Sequence, residues 1–468
     1  MKLFALALIV VSLSAAPVKV RIRNATVELP LEKYVAGVLA GESSVFQSNE
    51  SLKAMAIAAR TYAVRLRGRH ASEGFDFCVT THCQRVELDS VTARLAAAAA
   101  DTMGELLWYE GKPAFTSYTR DCGGRTEDAG AVWPELAAPY LRAHDDPYCK
   151  RNPWTWRGDP ARIAEALRRA QLRAPARMER ITIGERTASG RARTLVLTGG
   201  GESVRISAGS FRFAIGREIG WNTVLSDRYE IRSAATFDGF GSGHGVGLCQ
   251  DGAEQMGLAG KTYREILAFY YPGTAVGLTA KGISWQRIGG EGVSLMSTQI
   301  ERDRPLLVSA ERMLRTITLP MPRDLELRVY PDVETFRNAT GEPGWVAAYA
   351  QGRRIHLQPS TAATTLRHEL WHVAVESNAS PGLPLWFREG LVEYLTSPVS
   401  GTAKPPADVE LRQTQDPGRA RQAYRDAARA VGTLISRYGM ATVTGWLKTG
   451  LPLEVKNASA SQAAKNSK

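Results

Sequence analysis

All five cysteines of this 468-residue chain, Cys78, Cys83, Cys122, Cys149 and Cys249, fall in its first 250 residues, whereas an H-E-x-x-H string, His368 to His372, stands far beyond them. Two chemistries kept apart along a chain this long argue against one continuous core. Single cores stop growing well below this length, so two self-contained domains are expected. With 44% hydrophobic and 23% charged residues, the chain has the composition of a globular protein rather than a disordered or fibrous one.

The first sixteen residues, MKLFALALIVVSLSAA, set Lys2 before an apolar run from Leu3 to Val11 and then small residues. That is the layout of a secretory signal peptide, and the run is too short for the ~30 Å core of a bilayer. No later stretch is apolar enough to cross a membrane, so no transmembrane span is expected. The chain reads as secreted or periplasmic, in the cell envelope. A formal charge of +12 suits an anionic partner. No basic patch interleaved with aromatic residues is present, so nucleic acid is not an expected partner.

Hydrophobic periodicity predicts an α+β chain. VKVRIRNATVELP alternates as short strands, and LEKYVAGVLAGE places Tyr34, Val35, Val38 and Leu39 on one helical face, ending at Glu42. NESLKAMAIAARTYAVRLR repeats the pattern, with Ser48 or Asn49 as its cap. Residues 155–232 read as an inserted α+β unit, with a helix in DPARIAEALRRAQL and a hairpin about Gly199 to Gly201. The glycine-containing, polar stretch 286–304 is the expected linker. The expected layout is therefore a signal peptide at 1–16, a first domain at 17–285, a second at 305–452 and a disordered tail at 453–468.

On a helix, H-E-x-x-H puts His368 and His372 one turn apart on one face, with Glu369 beside them. Zinc needs a third protein ligand, and the next predicted helix, PLWFREGLVEYL, offers Glu389 and, one turn on, Glu393. This pairing resembles the gluzincin metallopeptidases, in particular the peptidase MA-like domains, whose H-E-x-x-H helix is followed by an E-G-x-x-E helix. The resemblance implies a zincin-like α+β fold binding Zn2+ through His368, His372 and Glu389. It further implies Glu369 as the general base, Glu393 as the carboxylate that orients a ligand histidine, and a peptide or protein substrate laid along the strand WVAAYAQGRRIHL.

Four stretches of the first half belong together: LPLEKYVAGVLAGE with SLKAMAIAARTYA, FCVTTHCQRV, AFTSYTRDCGGRTEDAGAVW, and GSGHGVGLCQDGAEQMGLAGKTYREILAFYYPGT. In this order they resemble the SpoIID/LytB family. The resemblance implies a mixed α/β domain that acts on peptidoglycan glycan strands as a lytic transglycosylase, with Glu42 as acid and base. His244 and Gln250 then become substrate-binding or acid-positioning groups. Cys78, His82 and Cys83, with His70 upstream, could hold a second zinc as in some family members. Disulfides, Cys78 with Cys83 or Cys122 with Cys149, are the competing use of the thiols. The chain departs from the family pattern at Cys249, where serine is usual, and at Cys122, where small or polar residues are. The alternative function is a wall-binding module without glycan cleavage, attached to a secreted zinc metallopeptidase.

Overall fold

A computed structural model describes residues 17–42, 46–342, 344–411 and 417–456. The expected signal peptide and most of the expected tail lie outside the described residues. Helices and strands mix in an α+β fold. The chain divides after Ser284 into two compact units.

The first unit is built on two helices, Leu31–Glu42 and Asn49–Arg65. Ser48 caps the second, its hydroxyl accepting from the backbone N–H groups of Glu50 and Ser51. Buried alanines at 54, 56, 58, 59 and 63 line that helix, so neighbouring elements approach its backbone closely. Gly41 serves the same end on the first helix: a Cβ there would stand 2.4 Å from the Arg85 carbonyl oxygen, and that contact seats the helix end bearing Glu42 against the 79–86 loop. One fully buried guanidinium ties the helices together. Arg60 pairs with Glu32 at 2.6 Å and donates to the carbonyls of Ala99 and Glu105. Arg60→Ala should lower unfolding free energy by about 3–5 kcal/mol, because a half-broken buried pair leaves the Glu32 carboxylate without its counter-charge and the Glu105 carbonyl without its guanidinium donor. Urea denaturation of the full chain would measure it.

The inserted unit has a core of its own, centred on Ile163, Leu167, Leu195, Phe211 and Phe237. Strands Arg180–Arg186, Ala192–Gly199 and Glu202–Ser207 form an antiparallel sheet, with the expected hairpin turning at Gly200 and Gly201. A second sheet pairs Thr236–Phe240 with both Tyr229–Ser233 and Pro153–Arg157. The insert is therefore longer than the expected 155–232: its closing strand is needed to pair the opening one.

In the second unit a five-stranded sheet runs, in spatial order, Gln286–Gly289, Val293–Ser297, Leu325–Val329, Arg354–Leu357 and Ala348–Gln351. The stretch expected as a linker, 286–304, is thus folded. Its glycines make the turn of a hairpin, Gly292 at φ 72°, whose strands register Gln286 against Ser297 and Gly289 against Ser294, and a helix follows from Ile300. Val293 and Leu295 point into the core of this unit, an alternation that the cluster of polar and glycine residues concealed. The Ala348–Gln351 strand is an edge of the sheet, antiparallel to Arg354–Leu357. Helix Ala363–Asn378 carries H-E-x-x-H, and helix Leu385–Thr396 carries Glu389 and Glu393.

Candidate functional site

Glu42 ends its helix at the wall of a cleft of about 1120 Å3 in the first unit, lined also by Tyr118, Arg120, His244 and Gln250. Its Oε1 accepts the backbone N–H of Arg85 at 3.2 Å. Burial raises the Glu42 carboxyl above the usual carboxylate range, opposed by that N–H, by a hydrogen bond from the Gln250 side chain and by the charges of Arg85 and Arg120. A carboxyl so balanced can hold a proton and give it up. Gln250 is buried at the first position of helix Gln250–Leu258, next to strand Leu248–Cys249, which pairs in parallel with Tyr118–Thr119. Close approach of these strands requires Gly247: at φ 73°, a Cβ there would meet the Ser117 carbonyl oxygen at 1.9 Å.

His244 is neutral, since burial pushes it down to about 3. Its Nδ1 accepts the Val246 N–H at 3.0 Å, so the proton sits on Nε2, 3.5 Å from the Ser117 hydroxyl. Its ring packs edge-on against Trp133 at 4.8 Å. His244 therefore offers the cleft a hydrogen-bonding ring with no charge.

His70, Cys78, His82 and Cys83 converge, with one donor atom from each lying within 4.8 Å of the others. His70 Nε2 is 3.3 Å from Cys83 Sγ, and His82 Nδ1 is 3.6 Å from the same sulfur and 3.8 Å from Cys78 Sγ. His82 and Cys83 line the Glu42 cleft. Burial alone would raise the Cys78 thiol, but hydrogen bonds from Thr80 and His82 bring it down to about 6. The other ring nitrogen of His70, Nδ1, meets Glu73 Oε1 at 2.5 Å, the carboxylate–histidine arrangement that fixes the tautomer of a metal ligand. Two sulfurs and two imidazoles at this spacing fit tetrahedral zinc. All five cysteines are free thiols, so neither expected disulfide is formed.

In the second unit His368 and His372 face each other, Nε2 to Nε2, at 3.0 Å, and Glu389 Oε2 lies 3.5 Å from His372 Nε2. Burial pushes His372 down to about 3 and lowers His368, so both imidazoles are neutral. Burial, together with the neighbouring carboxylates Glu376, Glu393 and Glu369, pushes Glu389 up to about 7 despite the nearby Arg388. Neutral imidazoles beside a buried carboxylate are a donor set that fits a divalent cation. Glu393 Oε1 is 3.9 Å from His368 Nδ1, the ring nitrogen turned away from His372 and beyond direct hydrogen-bond reach. Burial also pushes Glu369 up to about 7, while an N–H of Ala350 on the edge strand donates to its carboxylate.

The SpoIID family, described as stage II sporulation protein, matches residues 22–109. Stage II sporulation protein D of Bacillus subtilis (strain 168) is 30% identical over 292 residues, covering 57% of this chain and 80% of that protein. Stage II sporulation protein D of Bacillus amyloliquefaciens is 32% identical over 290 residues, with the same two shares. This chain belongs to the SpoIID family. An amidase enhancer of Bacillus subtilis (strain 168) is also similar, 28% identical over 287 residues, and the chain spans 40% of its length.

Several residues at these sites had no role assigned from the motifs. In the SpoIID-family cleft, Tyr118 stays protonated, held far above its ordinary value by burial and then by the Glu42 charge, and its hydroxyl accepts from Gln84 Nε2 at 3.2 Å. Phe213 and Trp221, 57% and 61% exposed and edge-on at 5.8 Å, line the same cleft from the inserted unit. In the second unit Tyr424, on helix Pro417–Tyr438, lies close enough to Glu389, Glu393 and Glu369 that burial and these charges push it up to about 12. Alternation in TSYTR could have flagged Tyr118; nothing local marks Phe213, Trp221 or Tyr424, which reach their sites through tertiary packing.

Proposed function

We propose that this protein is exported to the cell envelope, where its first unit cleaves peptidoglycan glycan strands by lytic transglycosylation and its second is a gluzincin-type metallopeptidase. Glu42 carries the first half of the reading: a carboxyl raised by burial, in a cleft large enough for a glycan, held by Gln250 and the Arg85 N–H. Protonated Glu42 gives its proton to the glycosidic oxygen. It then takes the proton of the sugar's 6-hydroxyl as that oxygen closes a 1,6-anhydro ring, so one carboxyl serves both steps and no water is consumed. His244 and the Tyr118 hydroxyl offer neutral hydrogen bonds to sugar hydroxyls, and Phe213 with Trp221 offers exposed aromatic faces for sugar rings. Mass spectrometry of purified glycan strands after digestion tests the reading through 1,6-anhydro ends.

The zinc that His70, Cys78, His82 and Cys83 would hold is structural, since four protein donors leave it no open position. It would anchor the 70–83 segment at the rim of the cleft.

Gln250 stabilises the ionised form of Glu42. Gln250→Ala should therefore raise the Glu42 pKa, so that the alkaline limb of the cleavage profile, where the acid loses its proton, moves to higher pH while the maximal rate falls. A pH–rate profile on soluble glycan reads both, and a limb that stays in place would sever Gln250 from the acid.

In the second unit a zinc ion held by His368, His372 and Glu389 would supply a Lewis acid to the scissile carbonyl. Glu369, a base raised to about 7, takes the proton of the attacking water and passes it to the leaving amine. The strand Ala348–Gln351, at the edge of the sheet and tied to Glu369 through the Ala350 N–H, offers a side along which an extended peptide can lie, and Tyr424 keeps its hydroxyl proton for an oxyanion. A second reading of the first unit, binding the wall without cutting it, draws on the relative named an amidase enhancer. The absence of anhydro ends with retained glycan binding would favour it.

A further inference from the structure

We propose that Cys122, Asp146, Cys149 and Cys249 form a buried zinc site behind the Glu42 cleft, separate from the His70 cluster. The four side chains come from three stretches of chain far apart in sequence, and all four are buried, none more than 6% exposed. One donor atom from each lies within 4.8 Å of the others. A tetrahedron of three sulfurs at ~2.3 Å and one oxygen at ~2.1 Å has edges of about 3.6–3.8 Å, so the group needs to contract by only about 1 Å to close on an ion. Cys122 Sγ is already 3.2 Å from Asp146 Oδ2.

The surroundings are those of bound thiolates rather than of spare thiols. Cys249 caps helix Gln250–Leu258, and its sulfur accepts two backbone N–H groups, from Cys122 at 3.2 Å and Gly252 at 3.4 Å. Burial and the two neighbouring thiols keep this thiol protonated without an ion, and the two N–H groups with the helix N-terminus would offset part of the charge of a metal-bound thiolate there. The ligand oxygen of Asp146 accepts the Tyr270 hydroxyl at 2.9 Å, and its other oxygen accepts the N–H groups of Tyr148 and Cys149, so its orientation is fixed from outside. Without an ion the Cys149 thiol donates to Asp121 Oδ1 at 2.9 Å and the Cys122 thiol to Asp146; metal binding releases these protons. Three thiolates, a carboxylate and a divalent cation leave a double negative charge. Two guanidiniums near these sulfurs, Arg191 and Arg228, offset it, and Arg191 also donates to the Cys122 carbonyl. A disulfide would join two of the sulfurs and leave the third thiol and Asp146 in the core, whereas a metal uses all four groups. Arg120 precedes the Asp121–Cys122 pair and Gln250 follows Cys249, so the ion would clamp the two segments that bring these residues to Glu42.

The test uses the full chain with Cys78→Ser and Cys83→Ser, which leaves these three as its only thiols. Cobalt(II) exchanged in place of zinc should give thiolate-to-cobalt charge-transfer bands with the intensity of three sulfurs. The H-E-x-x-H region lacks cysteine and cannot contribute. Adding Asp146→Asn, which keeps every thiol and the side-chain shape, should weaken cobalt binding at least tenfold. Should the double variant fail to fold, the wild type reads the same quantity as five thiolate contributions rather than two. Thiol titration after unfolding in chelator, without reductant, should count three in the double variant. A count of one means a disulfide, and three thiols with no charge-transfer band mean a packed thiol cluster; either result overturns the proposal.

Discussion

Glu42→Gln should leave the protein folded and bound to glycan while the release of 1,6-anhydro ends falls by about 100- to 10,000-fold, the usual worth of a positioned acid and base. Glutamine keeps the shape of the side chain and can still accept the Arg85 N–H, so the helix end and the loop behind it stay in register. It lacks the proton that the glycosidic oxygen receives in the proposed reaction. Wild-type cleavage should also decline as pH rises through the Glu42 pKa, which burial holds above the ordinary carboxylate value, because in the proposed reaction only the protonated form starts it. Mass spectrometry of the ends, with a pull-down on insoluble wall, separates chemistry from binding. Reducing ends without anhydro sugar in the wild type would make the unit a hydrolase and refute the one-carboxyl mechanism.

The second large effect belongs to the H-E-x-x-H site. Under the proposed zinc ligation Glu389→Ala should remove most of the metal from this site, since the two imidazoles, 3.0 Å apart, would be its only remaining protein ligands. Glu369→Gln should keep the metal and lose proteolysis by about 100- to 10,000-fold, because in the proposed mechanism the residue moves a proton and holds no ion. Glu393→Ala should fall between them, weakening metal binding by roughly 10- to 100-fold if its carboxylate, 3.9 Å from His368 Nδ1, draws in to orient that ring. Metal analysis separates the three roles when done with Cys78, Cys83 and Cys249 replaced by serine, so that ions at the thiol groups of the first unit do not mask the count. Cleavage of an unfolded protein substrate gives the activities. Full zinc in Glu389→Ala would exclude that residue as a ligand.

The structure also redraws one boundary. The glycines at 289–292 read as a linker because turn residues and linker residues share a composition. In the fold they turn a hairpin whose second strand, Val293–Ser297, lies beside Leu325–Val329 in parallel register. The distinction rested on Val293 and Leu295, whose alternation is too short to stand out against the polar residues around them.

What the sequence determined by itself is local. Helix Leu31–Glu42 ending in its carboxylate, a cap at Ser48 or Asn49, the pair of imidazoles one turn apart and the helix bearing Glu389 and Glu393 all follow from period, capping chemistry and the reach of three or four residues along a helix. The His70–Cys83 group lies within fourteen residues, but its reading as a metal site comes from the resemblance to the SpoIID/LytB family, with disulfides as the competing use. Only the tertiary structure decided which distant segments share a space. Asp146 comes to three cysteines spread from 122 to 249, Gln250 and Arg120 come to Glu42, and an inserted unit brings Phe213 and Trp221 to the cleft. Such meetings depend on long loops closing and strands registering across the fold, and neither leaves a periodic mark on the residues that meet.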